Sequence, residues 1–221
     1  MKVELLHSTP LEVVIKAIRK CYASEGNSDS NWGQDAVTGE KSWWLGTKDC
    51  ELIRRILSHG HGSVVESAYF TFDVDDISRG CLQELVRHRV ASFSVKSTRY
   101  TLGKIKDEQP FDPDNEEDWD RAAKYLVYST YDRVNTASII ALEAVRNGAA
   151  TGVPNDQLKY CLPESFKTSL IWTINARSLQ NFFQLRSAPQ AHWEIRDLAT
   201  AVKEALPKSH SILFDFNTKT K

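Results

Sequence analysis

Residues 87–100, Arg-His-Arg-Val-Ala-Ser-Phe-Ser-Val-Lys-Ser-Thr-Arg-Tyr, constrain the fold more than any other stretch of this chain. Four cations, one histidine and several hydroxyls share fourteen positions with only four aliphatic or aromatic hydrocarbon side chains. Arg and Lys lose strong hydration when buried, so this segment cannot be an interior strand or the inner face of a helix. It has to lie where water or anions meet it.

The surrounding sequence supplies a core. With 221 residues, 41% hydrophobic content and six Trp, the chain is globular and long enough for one large domain or two small ones. Residues 3–6 read as a short strand. Thr9-Pro10-Leu11-Glu12 reads as a helix start with Thr at the N-cap, and the helix runs to about Tyr22. Residues 24–47 are polar yet hold Trp32, Trp43 and Trp44, which suggests a folded loop, not a passive linker. A second helix covers 48–58 and stops at His59-Gly60-His61-Gly62. Ser63 to Glu66 has the spacing of another capping box, and 69–74 alternates in the period of a half-buried strand.

Ile77, Cys81, Leu82, Leu85, Val86 and Val90 recur at helical spacing, which places Arg87 to Arg89 near a helix C-terminus, where cations are favoured. Residues 93–101 read as extended and 110–115 as a loop. A long helix is expected over 116–146, a short one from Pro154 to Leu162, and apolar helices over 166–185 and 193–206. The expected class is α+β, a small mostly antiparallel sheet covered by long helices, in a single domain spanning 1–221.

A net charge of −1 gives no global attraction to nucleic acid or to an anionic membrane. The positive charge is local: seven Lys or Arg against the lone acid Glu84 over 79–106, which points to a small anionic ligand before a long polyanion. Arg offers a planar fork for phosphate or a carbonyl edge, Lys a point charge, and Ser a short hydrogen bond. Such a set suits a nucleotide with one phosphate and one polar ring. The alternative is a nucleic-acid-binding protein with 79–106 as its footprint; a metal-dependent nucleotide hydrolase using His and Asp is a third reading.

Cys21, Cys50, Cys81 and Cys161 form no CxxC pair and fit reduced thiols. No apolar run approaches a membrane span, and no long apolar region follows Met1, so a cytoplasmic protein is expected. His59 and His61 lack partners that would complete a metal site and read as a helix-ending turn; Asp73, Asp75 and Asp76 read as a strand-end turn. No GxGxxG or P-loop is present.

The basic segment resembles the motif of the flavin-dependent thymidylate synthases, in which Arg-His-Arg is followed after seven residues by Ser and then Arg-Tyr. Trp172 to Leu179 with Asn181, Leu185 and Arg186, residues 191–196, and His59 through Glu66 are similar to further blocks of that family in the same order. Ser94 and Val95 stand where the family often has Asn and Glu. Lys159 stands where Arg often precedes Leu-Pro, and Gln190 and His192 replace the more usual His and Gln.

The resemblance implies reductive methylation of dUMP to dTMP. Methylenetetrahydrofolate would give the one-carbon unit, and FAD reduced by NADPH would supply the hydride. It further implies FAD contacts from Ser63, Arg87, His88, Arg89, Asn175, Arg177 and Asn181. The substrate would meet Glu84, Arg87, Lys96, Ser97, Thr98, Arg99, Lys159 and Arg186, with Arg186 beside the pyrimidine and favouring ionisation at N3. A homotetramer with shared active sites is implied as well, with no nucleic-acid or membrane partner. An Arg beside N3 stabilises negative charge that delocalises to C5, the weak nucleophile of uracil. Ser97 either holds dUMP or attacks C6; the sequence shows no base to activate it. If one helix carried all three, Arg177 and Asn181 would be i,i+4 neighbours and Asn175 would point about 200° away from Arg177.

Overall fold

The structure, a computed structural model, describes residues 1–34 and 41–215. Among these, β1 (Lys2–Ser8), β4 (Tyr69–Ser78), β6 (Lys167–Asn175) and β5 (Ala91–Val95) form a small antiparallel sheet in the order β1-β4-β6-β5. A separate antiparallel hairpin joins β2 (Asn31–Gln34) to β3 (Lys41–Trp44), with Trp32 opposite Trp43. The α+β class is therefore correct. The chain divides into two compact units: one holds Met1–Lys2, Asp73–Arg87 and Phe93–Ile171, the other Val3–Phe72, His88–Ser92 and the chain from Trp172.

The second unit contains α1 (Leu11–Cys21), α2 (Thr47–Ser58), α8 (Ala176–Arg186) and α9 (Trp193–Ala205). Val14, Ile18, Ile53, Leu179 and Leu198 bury one stripe of each helix. Aromatic rings continue that core: Phe72 meets Trp172 at 5.7 Å, and Trp172 meets Phe182 edge-on at 5.1 Å. The start of α2 is built by a distant side chain. Asp29 accepts from the amides of Lys48 (2.9 Å) and Asp49 (3.1 Å), which satisfies two orphan donors of the first turn. Gly46 permits this, because a Cβ there would lie 2.3 Å from the Asp29 carboxyl carbon. At the other end, Gly60 adopts φ +79° and turns the chain out of the helix.

The first unit carries α3 (Arg79–Leu85), α4 (Thr98–Thr101), α5 (Glu116–Ala122), α6 (Asp132–Ala150) and α7 (Asn155–Leu158). Its core groups Leu102, Ile105, Phe111, Leu126, Ile139 and Leu142.

Several sequence expectations need correction. Thr9 does not cap α1: Pro10 holds that position, while Thr9 pairs with Tyr69 of β4, its amide donating to the Tyr69 carbonyl and its Oγ1 accepting from the Tyr69 amide, each at 2.9 Å. Ser63 to Glu66 is a 3-10 turn over Gly62–Val65 without a side-chain cap. The helix expected over 166–185 is two elements. Thr168, Leu170, Trp172 and Ile174 are buried in alternation, the period of strand β6, and α8 begins only after Asn175. An apolar run of this length satisfies both periods locally.

The helix expected over 116–146 breaks after α5. Leu126 there forms a bridge to Phe166, and Val127 donates to Ser165 at 2.8 Å. Asn135 then closes the turn by accepting from the Ser129 amide and donating to its carbonyl, and α6 continues past Asn147-Gly148 to Ala150. Residues 93–101 are extended only to Val95, and Thr98–Thr101 is helical. Ile77 closes β4 instead of opening a helix, and Val90 is exposed. Asp73, Asp75 and Asp76 lie inside β4, not beyond it; the chain bends at Asp76, with φ +61°. In the Trp-bearing stretch, residues 35–40 lie outside the described residues, and those on either side form the hairpin.

Candidate active site

In the second unit, the sequence-selected residues fall into two small groups. In one, the Arg177 guanidinium pairs with Glu66, and the stem of Arg177 runs against Gly62, next to Ser63. Ser63 and Arg177 thus share one surface, where the 3-10 turn packs on α8. In the other, His88 is buried with its ring edge against Phe182 at 5.1 Å, and Arg186 Nε donates to His88 Nε2 at 2.9 Å. Arg89 is exposed beside His88, and Asn181 is exposed on α8.

Asn175 has a different place from the one a single helix would give it. It is the last residue of β6 and the N-cap of α8, and its Oδ1 accepts from the Ser178 amide at 2.8 Å. That oxygen is engaged in holding the helix start, which leaves the Nδ2 side of the amide as the group able to meet a ligand. The angular conflict between Asn175 and Arg177 disappears, because Asn175 is not helical.

In the first unit, Arg87 stands exposed just past α3 and pairs with Glu84 at 3.7 Å. Ser97 precedes α4 with its side chain exposed, and among the described residues none hydrogen-bonds to its hydroxyl. Asn155 Nδ2 donates to the Arg99 carbonyl at 2.8 Å, tying α7 to α4. Ser97 is therefore placed at the start of one short helix, Arg99 within it, and Lys159 on the turn after the helix packed against it. Lys96 and Thr98 face a cleft of about 120 Å³ that Lys124, Tyr125 and Lys167 also line. Burial and the hydrogen bond to Glu108 push the Tyr125 phenol up to about 12, so it remains protonated there.

These are donor sets: guanidinium, ammonium, hydroxyl and amide groups, with Glu84 and Glu66 each paired to an arginine. They suit the phosphates and carbonyl edges of nucleotides, and the set in the second unit fits the pyrophosphate and ring carbonyls of FAD. Sequence reasoning missed Glu66 as the partner of Arg177, because its spacing from Ser63 imitates a capping box, and missed Phe182, which looks like any core residue of an apolar helix. Among the described residues no group of three or more His, Cys, Asp or Glu side chains is placed to hold a metal ion, and no helix is long and apolar enough to cross a membrane.

The family model described as "Thymidylate synthase complementing protein" matches residues 4–210. Flavin-dependent thymidylate synthase of Wolinella succinogenes is 49% identical over 218 residues, 98% of either chain, and that of Helicobacter pylori is 44% identical over 217 residues. A crystal structure of Helicobacter pylori thymidylate synthase X, described with FAD and dUMP, superposes with a TM-score of 0.87 at 44% identity, covering 97% of this chain and 98% of the other. The chain belongs to the flavin-dependent thymidylate synthase family.

Proposed function

We propose that this chain forms dTMP by reductive methylation of dUMP, with methylenetetrahydrofolate as carbon donor, as a cytoplasmic homotetramer whose active sites are shared between chains. FAD, reduced by NADPH, supplies the hydride when bound. The observation that carries the reading is the pair of donor sets in a chain 44% identical to a protein crystallised with both FAD and dUMP.

The residues divide the work by chemistry. Ser63, Arg89, Asn181 and the Nδ2 side of Asn175 hold the flavin nucleotide, and Arg177, itself steadied by Glu66, adds charge beside Ser63. Arg87 also contacts the flavin nucleotide. Ser97 at the N-cap of α4, Thr98 and Arg99 on it, with Lys96 and Lys159, hold the nucleotide phosphate and sugar of dUMP, and Glu84 steadies Arg87. Arg186 faces N3 and its neighbouring carbonyl, where a fixed positive charge favours the ionised pyrimidine and so makes C5 nucleophilic. The Ser97 hydroxyl, with no base hydrogen-bonded to it among the described residues, serves as a ligand and not as a nucleophile. Lys in place of Arg at 159 keeps the charge on the substrate phosphate but contacts it as a point charge.

An absorbance spectrum tests the cofactor half of this proposal. The purified protein with added FAD should retain the flavin bands through gel filtration, and NADPH under anaerobic conditions should bleach them. A protein that never retains FAD contradicts it.

A further inference from the structure

We infer that His88 is a positioning residue for Arg186, fixing the plane of its guanidinium through a hydrogen bond that the imidazole accepts. This rests on the proposed placement of Arg186 at the pyrimidine. The geometry begins with one helix. Phe182 and Arg186 sit four residues apart on α8, so their side chains are neighbours on one face. The His88 ring fills the notch between them: its face angle to Phe182 is 76° at 5.1 Å, and its Nε2 lies 2.9 Å from Arg186 Nε.

Phe182 is itself fixed, packed edge-on at 5.1 Å against Trp172, and both rings are fully buried. His88 is 7% exposed. A relay of rigid rings thus runs from the core, Trp172 to Phe182 to His88, and ends on the guanidinium.

The chemistry of the contact is one-directional. Arginine is always protonated and can only donate, so His88 Nε2 must carry the lone pair and Nδ1 the proton. His88 is held as the neutral Nδ1–H tautomer. A neutral acceptor differs from a carboxylate in what it leaves behind: this bond sets the plane without itself neutralising the guanidinium. Nε lies in that plane, so a bond at Nε removes the last torsional freedom of a long, rotamer-rich side chain before substrate arrives. An orientation fixed by a bond that takes no charge from it suits an Arg that stabilises a delocalised pyrimidine anion.

The test is a double-mutant cycle on dTMP formation, combined with the nitrogen chemical shifts of His88 in the flavin-free protein. His88→Leu should lower kcat by roughly 10- to 100-fold, the scale of a hydrogen bond to a charged group, while the dUMP KM moves little. His88→Gln, which restores an acceptor, should recover most of the rate. In an Arg186→Lys background, where no Nε exists, His88→Leu should cost less than about twofold more. Independently of activity, the nitrogen shifts of His88 should show the neutral Nδ1–H form, and Arg186→Ala should change them. Equal losses in both backgrounds, or loss of FAD binding on His88→Leu with folding intact, would overturn the inference and make His88 a direct contact. Nitrogen shifts of a protonated or Nε2–H His88 would overturn it as well. A wild-type protein that makes no dTMP yet shows the expected shifts would contradict the proposed activity instead.

Discussion

Asp49→Asn should destabilise the second unit more than any surface substitution. Asp49 lies at the start of α2 and is wholly buried. Its Oδ1 accepts from Arg19 Nε at 2.7 Å and from Arg19 Nη2 at 2.6 Å. Its Oδ2 accepts from the hydroxyls of Ser28 at 2.6 Å and Ser30 at 2.5 Å and from the Ser30 amide at 3.2 Å. Ser30 Oγ in turn accepts from the Gly46 amide at 3.0 Å. One carboxylate therefore ties α1 to both ends of the Trp-bearing hairpin segment. Removing its charge strands the Arg19 guanidinium, itself 7% exposed, without a counter-ion. Breaking a buried pair from one side costs about 3–5 kcal/mol. For a chain of 221 residues that corresponds to a Tm lower by about 6–20 °C.

The pH dependence has a defined sign. Burial pushes the Asp49 carboxyl up, but the hydrogen bonds from Ser28, Ser30 and Arg19 together outweigh it and hold the pKa below the ordinary value. Its stabilising contribution is complete above the unfolded pKa, about 3.9, and is lost as pH falls through the lower folded value. Differential scanning calorimetry of wild type, Asp49→Asn, Arg19→Met and the double variant provides the assay. The double variant should lose less than the two single losses added together, because it strands neither charge. A Tm change under about 2 °C for Asp49→Asn, or strictly additive losses, would refute the reasoning.

Three further outcomes are expected. Arg186→Lys keeps the charge and loses the planar fork, so turnover or dUMP affinity should fall by about 1–3 kcal/mol while FAD titration is unchanged; unaltered kinetics remove Arg186 from the chemistry. Sedimentation at micromolar concentration should give four chains, since Trp32 and Trp44 stand 56% and 62% exposed on the hairpin of a lone subunit; a monomer with full turnover excludes shared sites. Glu143, held below the ordinary range by the hydrogen bond from Arg146 against its burial, should make the first unit lose stability as pH falls through its folded pKa; Glu143→Gln, followed by acid unfolding, should flatten that limb.

The sequence showed the site more readily than the fold. The cations of 87–99 announce themselves by composition, because no core tolerates them, and the structure leaves Arg87, Arg89, Lys96, Ser97 and Arg99 on the surface. Strand β4 was legible because Phe70, Phe72 and Val74 alternate cleanly with polar neighbours. Strand β6 was not, because Leu170, Ile171, Trp172 and Ile174 are apolar on both faces and run without a break into the apolar face of α8. The break at 123–131 depends on pairing between Leu126 and Phe166, forty residues apart, which no local pattern carries. Asp49 looked like any acid in the first turn of a helix, and Thr9 like any cap. Each takes its partner from another element, so spacing alone could not reveal its role.

Formation of dTMP in a single turnover tests the central claim most directly. Protein loaded with FAD and reduced by NADPH without oxygen is mixed with methylenetetrahydrofolate and dUMP, quenched, and assayed for dTMP. The account predicts flavin reoxidation and dTMP formed together, in wild type and in Ser97→Ala at saturating dUMP, with Ser97→Ala costing about 5- to 150-fold in affinity or rate. Wild-type protein that binds FAD and dUMP yet yields no dTMP would contradict the assigned reaction. Ser97→Ala protein that binds both and yields none would contradict the ligand role of Ser97 and return it to the position of nucleophile.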